Sequence, residues 1–215
     1  MRKTILICLL ILTATNLFSQ NRYLEFRAGT SFSAPQNSDV AFKINNDYIK
    51  TGLNVSAGAG YSIFDDEFRF CGYMSYTSHG EKYKINDTLN FLSQSNWFQL
   101  TMLPKYYIRY TPIYIGAGLY CGFAVNNNVE EGDDLISEKT HQFNYPDYYK
   151  KFDFGATAVI GAEWGLGNIK FNIEAEYAAG LRNISNRPAR TIKNRNAAVM
   201  CGLTLYFPDK HYGHF

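Results

Sequence analysis

Residues 53–63 read Leu53-Asn54-Val55-Ser56-Ala57-Gly58-Ala59-Gly60-Tyr61-Ser62-Ile63. Each odd position carries an apolar side chain and each even one a small or polar side chain. A period of two is that of a β-strand with unlike faces, because successive side chains leave a pleated chain on opposite sides.

The same alternation recurs in seven further segments, which places strands at about 22–32, 52–64, 67–79, 95–109, 112–125, 151–165, 168–182 and 194–207. Between them, Asp65-Asp66, Tyr110-Thr111 and Leu166-Gly167 mark three tight turns. Residues 33–51, 80–94, 126–150 and 183–193 form four long loops. Short and long connections alternate, so the strands run up and down with every tight turn at one rim. This is the pattern of an outer-membrane barrel, with short periplasmic turns and longer external loops. The fold class is therefore all-β, an eight-stranded antiparallel up-and-down transmembrane β-barrel.

A soluble lipocalin-type barrel also has eight antiparallel strands, but its apolar face turns inward. The polar face separates the two. A water-facing exterior would carry many Lys, Glu and Thr, whereas here that face is small, with Gly58, Gly60, Gly116, Gly118, Gly122, Gly155 and Gly161. Small side chains suit a narrow lumen. The other face, with Leu24, Phe26, Met74, Leu100, Met102, Leu119 and Phe171, is assigned to lipid. Tyr61, Phe64, Tyr76, Trp97, Tyr106, Trp164, Tyr177 and Phe207 lie near strand ends and are read as interfacial girdles. Pro104 sits inside a strand, where a local bulge would accommodate its missing donor.

The chain opens with Met1-Arg2-Lys3, an apolar run from Ile5 to Leu12 and a polar exit at Phe18-Ser19-Gln20. That is a secretory signal peptide, expected to be removed at about residue 20 and to leave 21–215 as one barrel domain. The run is too short for a spanning helix, which needs about 20 apolar residues. Removal of Arg2 and Lys3 lowers the basic residues from 21 to 19, equal to the 19 acidic ones. This balance argues against nucleic-acid binding. Cys71, Cys121 and Cys201 remain, scattered singly, and make neither a disulfide framework nor a metal motif.

Phe70–Gly80 (FCGYMSYTSHG), Leu100–Tyr107 (LTMLPKYY), Tyr114–Phe123 (YIGAGLYCGF), Lys151–Gly161 (KFDFGATAVIG), Ile173–Ile184 (IEAEYAAGLRNI) and Asn194–Phe207 resemble, in order, successive strands of the PorT-like outer-membrane β-barrel family of small barrels. The Phe152-Asp153-Phe154-Gly155 step and Tyr177–Ile184 are the most telling pieces. Two positions depart from the family pattern: Tyr73 replaces an acidic residue on the third strand, and Thr101 stands where a proline is usual. The resemblance implies a small outer-membrane barrel, and the family's name is tied to a secretion system.

On this face assignment Glu25, Arg27, Arg69, Lys105, Glu163, Glu174 and Glu176 point into the lumen. Charges in so narrow a space need partners, so an ionic plug that closes the barrel is expected. Glu174 and Glu176 share a face as a catalytic carboxylate pair would, but no nucleophile or cleft accompanies them. The longest loop is acidic, with Glu130, Glu131, Asp133, Asp134 and Glu138. The last one is basic, with Arg182, Arg187, Arg190, Lys193 and Arg195, whose guanidinium forks suit lipopolysaccharide phosphates.

A lipid-modifying enzyme is the catalytic alternative, with Ser78, His79 and His141 as its raw material, but no spacing brings a base to a nucleophile. His211 and His214 lack further metal ligands. The expectation is therefore a non-enzymatic, monomeric envelope protein without catalytic residues, metal or cofactor. It contacts lipid and lipopolysaccharide and acts structurally, through its loops, or as an accessory of a secretion or surface-assembly machine.

Overall fold

A computed structural model describes residues 22–33, 36–37, 48–63, 67–84, 89–133, 136–144, 150–185 and 191–207. Eight strands form the barrel: β1 (Arg22–Ser33), β2 (Tyr48–Ile63), β3 (Phe68–Lys84), β4 (Leu89–Tyr107), β5 (Ile113–Asp133), β6 (Phe152–Leu166), β7 (Ile169–Gly180) and β8 (Arg195–Phe207). Each pairs antiparallel with its chain neighbours, and β1 closes on β8 from Arg22↔Phe207 to Ser33↔Asn196. The sheet therefore has no free edge through the wall, as a bilayer requires.

Alternation sorts the side chains as the sequence implied. In β1, Tyr23, Glu25 and Arg27 are buried, while Leu24 and Phe26 are exposed. Met102 is 71 % exposed and Glu174 0 %. Apolar groups outside and charges inside reverse the order of a water-soluble protein and exclude the lipocalin arrangement. Cys71 is buried, Cys121 half-buried and Cys201 exposed, and all three are free thiols.

The structure corrects the sequence reading at four places. The segments 80–94 and 126–150, read as loops, are largely strand. β3 and β4 pair as far as Lys84↔Asn90, β4 and β5 as far as Leu89↔Asp133, and a further strand, Ile136–Asn144, pairs with β5. Outside the bilayer neither face has to be apolar, so the alternation that betrays a strand stops while the backbone ladder continues. Trp97, assigned to an interfacial girdle, is instead buried at 1 % exposure. It shares strand parity with Lys105, so the pleat sends it inward, where it packs with Ile184 and Ile192.

No bulge forms at Pro104. The β4–β5 register is the same at Met102↔Leu119 and Lys105↔Gly116, and pairing only lapses between them. A missing N–H removes one bond without shifting the strand. The turns also differ in length. Residues 108–112 make a five-residue connection, tied by Ile108 N donating to Ile113 O (2.9 Å), with Tyr110 at φ 63°. Gly167-Asn168 reverse the chain between Leu166 and Ile169, with Gly167 at φ 62°. A positive φ at the first central residue is that of a type II′ hairpin, where glycine is favoured. The Asp65-Asp66 turn, Phe64, the signal peptide, His211 and His214 lie outside the described residues.

Candidate functional site

The lumen holds a network to which all eight strands contribute. Nearest the short-turn rim, Arg69 on β3 gives its Nη1 to both oxygens of Glu163 on β6, at 2.8 and 3.0 Å. The guanidinium lies 3.6 Å from the centre of the Tyr107 ring and 5.0 Å from that of Tyr206, and both hydroxyls donate to Glu163. A cation over aromatic faces gains attraction from the ring quadrupole, and more so away from water.

Thr204 and Asn172 link this layer to the next. The Thr204 hydroxyl donates to Glu163, and Asn172 Nδ2 donates both to Thr204 Oγ1 (3.2 Å) and to Glu25 Oε1 (3.1 Å). At mid-height Lys105 Nζ reaches Glu174 Oε2 at 2.8 Å and Glu25 Oε1 at 3.1 Å. Arg27 is ion-paired with Glu174 and lies 3.7 Å from Glu176. Its Nε donates to Ser56 Oγ at 2.9 Å, and its guanidinium stacks 3.7 Å from the Tyr73 ring centre. The Tyr73 hydroxyl donates to Glu25 at 2.6 Å and that of Tyr114 to Glu174 at 2.9 Å. Tyr73 thus joins the network as a donor.

Toward the long-loop rim the lumen becomes less charged. Asp153, fully buried, accepts from the Tyr120 hydroxyl (3.0 Å) and from Asn194 Nδ2 (2.8 Å). The connection after β7 then folds inward. Ile184 N donates to Ile192 O (2.9 Å) and the two side chains cover Trp97, while Asn183 Oδ1 accepts from the backbone N–H of Ser185 and of Ile192. A two-residue ladder, Gln36–Asn37 with Ile192–Lys193, fastens the first long connection to the last.

Four glycines of the inner face have a common purpose. Tyr23, Tyr73, Tyr114 and Tyr120 lie directly across the ladder from Gly60, Gly58, Gly161 and Gly155. A Cβ built on any of these glycines would overlap the facing ring. These glycines are thus the seats of lumen tyrosines, of which Tyr73, Tyr114 and Tyr120 donate to carboxylates and Tyr23 to the carbonyl of Phe70.

With this geometry in place, the comparison with protein families is decisive: a model described as outer membrane protein beta-barrel domain matches residues 18–186. The chain belongs to that family. As an outer-membrane barrel of this family, it sits in the lipid bilayer of the outer membrane. No curated protein matches it. Among solved structures it is similar to Neisserial surface protein A, at 15% identity and TM-score 0.49, over 86% of this chain and 97% of that one. It is also similar to OprG of Pseudomonas aeruginosa, at 14% and 0.45, over 88% and 98%. Ail of Yersinia pestis, solved with the heparin analogue sucrose octasulfate, shows 11% and 0.45, over 86% and 99%.

In this outer-membrane barrel the seven charged residues expected in the lumen all lie there, six of them buried and Glu176 nearly so. Glu174 and Glu176 face Arg27 as ion-pair partners, which leaves the carboxylate-pair reading without a free acid or base. The Ser78 carbonyl accepts from Ser31 Oγ at 3.0 Å, and the side chains of His79 and His141 lie outside the described residues. So do those of the acidic loop and of Arg187 and Arg190. The sequence reading missed the lumen tyrosines, Asp153, and the Trp97–Ile184–Ile192 cover. Parity alone could have found most of them: Tyr23 and Tyr107 each stand two residues from a lumen charge.

Proposed function

We propose that this chain is a non-enzymatic barrel of the PorT-like kind, exported by a leader spanning residues 1–20. In this reading residues 21–215 form a monomeric barrel domain that is sealed to solutes and works through what it holds outside the membrane. The observation that carries this reading is the sheet standing beyond the barrel. β3, β4 and β5 continue past the wall, and Ile136–Asn144 ends the sheet, paired on one edge among the described residues. A strand with an unpaired edge is a template for an extended segment of another chain.

The test is to replace Ile136–Asn144 by a short turn and purify both forms from native membranes in mild detergent. The intact protein is expected to bring a partner that the shortened one lacks. A lone monomer from both forms would leave only a structural role in the envelope.

Sealing has its own test. With Arg69, Lys105 and Arg27 fixed across the bore by carboxylates, the protein in a planar bilayer is expected to show no steady, large conductance. Such a conductance would overturn the closed lumen. Lipopolysaccharide contact is the third part of the reading, with Arg182, Lys193 and Arg195 at the outer rim as its basic groups. The triple change R182E/K193E/R195E is expected to lower lipopolysaccharide co-purification severalfold, and unchanged retention counts against it.

The resemblance of residues 70–80, 151–161 and 173–184 to PorT-like strands favours a second reading, an accessory of a secretion or surface-assembly machine. The same purification separates the two. A machine component would bring several proteins whether or not Ile136–Asn144 is present.

A further inference from the structure

At the short-turn rim a cavity of about 610 Å³ opens between the 108–112 turn and the β6–β7 hairpin. Three cations, Arg69, Arg109 and Lys170, and two carboxylates, Glu67 and Glu163, line it. Each carboxylate is already engaged: Glu67 is paired with Arg109, and Glu163 is held on both oxygens by Arg69. Lys170 Nζ stands 3.5 Å from Glu163, which Arg69 already occupies, and 4.3 Å from the centre of the Tyr206 ring. The recess thus carries one positive charge in excess, on a side chain that still reaches solvent at 27 % exposure. Arg69 Nε, buried behind the cavity wall, has no hydrogen-bond partner. With three cations against two carboxylates, the cavity suits an anion of single charge.

Its position narrows the anion further. Trp164 lines the same cavity and is half exposed toward the bilayer, and Leu166 beyond it on the same face is 92 % exposed. Tryptophan at this depth marks the zone of headgroups, and short turns mark the periplasmic side. An anionic group entering here would carry apolar chains past Trp164 into the hydrocarbon.

We infer that this recess binds the phosphodiester of a membrane phospholipid of the periplasmic leaflet. Lys170 and Arg109 contact the phosphate, and Trp164 packs against the glycerol and first methylenes. Lys and Arg near a membrane surface reach headgroups in this way while their stems stay on apolar surface.

The test is native mass spectrometry of the whole folded barrel released from detergent with added phosphatidylglycerol or with diacylglycerol of the same chains. The wild type is expected to retain phosphatidylglycerol at least about tenfold better, the ratio that one charge-assisted contact supplies. The double variant R109Q/K170Q is expected to lose that preference. R22Q/K151Q, which removes the same charge from exposed positions outside the cavity, is expected to keep it. Because Arg109 also holds Glu67, K170Q alone is measured beside the double variant and is expected to lose most of the preference. Heat-modifiable migration in gels checks that each variant is folded.

Equal retention of diacylglycerol would mean a merely apolar contact and overturn the inference, as would an unchanged preference in R109Q/K170Q. Millimolar inorganic phosphate is expected to leave the lipid in place. Displacement by it would make this a free-phosphate site and overturn the lipid assignment.

Discussion

Lys105→Met is expected to destabilise the barrel by about 3–5 kcal/mol, the cost of leaving buried charges without their partner. Lys105 is 1 % exposed and is the cation shared by Glu25 and Glu174. Methionine fills similar space without the charge. Glu25 would then keep only neutral donors, Tyr73 and Asn172, and Glu174 would keep Arg27 and Tyr114. Arg27 would be left as the one guanidinium for Glu174 and Glu176, with Glu25 lacking any ion-pair partner.

Urea unfolding of the protein refolded in lipid, followed by heat-modifiable migration and intrinsic fluorescence, gives the magnitude. The double variant K105M/E25Q removes one of the stranded charges and should recover a substantial part of the loss, because residues in one network do not act additively. A loss below about 1 kcal/mol in K105M would mean that the charges are solvated rather than paired, within the range measured for exposed pairs.

Gly155→Ala should cost about 3 kcal/mol, although alanine is the better residue in most strands. A Cβ at this position would collide with the Ala179 carbonyl oxygen and come within 2.6 Å of Tyr120 Cε1 and 2.7 Å of its Cζ. The ring must move, and its hydroxyl then leaves Asp153, to which it donates at 3.0 Å. Overpacking of this kind costs roughly 1–3 kcal/mol, and loss of a hydrogen bond to a charged group adds about 1.5–3. Gly72 supplies the control. It faces outward with nothing within 4 Å of an added Cβ, so Gly72→Ala should be neutral or stabilise by up to about 1 kcal/mol. Equal effects at the two glycines would show that tyrosine seating is not what fixes Gly155. The same unfolding assay reads both.

The wall of this molecule was legible because lipid outside and a narrow bore inside impose opposite demands on alternate residues. Glu25, Arg27, Lys105 and Glu174 could be assigned to the bore by parity alone. Which of them meet could not, because Arg27 and Glu174 are 147 residues apart and touch across a lumen that exists only once the sheet has closed. Tyrosine hid the donors. An amphipathic ring near a strand end reads equally as a girdle or as a lumen residue, and the facing glycine is the discriminating sign. Trp97 was misjudged because closeness to a strand end was weighed above its parity. The outer sheet escaped notice because water on both faces removes the alternation and leaves only backbone pairing, which sequence does not display.

Participation of every strand in the lumen network bears on how the protein is made. Glu25 on β1 needs Lys105 from β4, and Arg27 on β1 needs Glu174 from β7. Arg69 on β3 needs Glu163 from β6. The Arg27–Glu174 and Arg69–Glu163 pairs each join one of the first four strands to one of the last four, so a sheet inserted before its ends meet would bring bare charges against hydrocarbon, at several kcal/mol each. Assembly is thereby pushed toward all-or-none behaviour: the seam between β1 and β8 has to come together as the chain crosses, and partly zipped intermediates are driven back to the aqueous side.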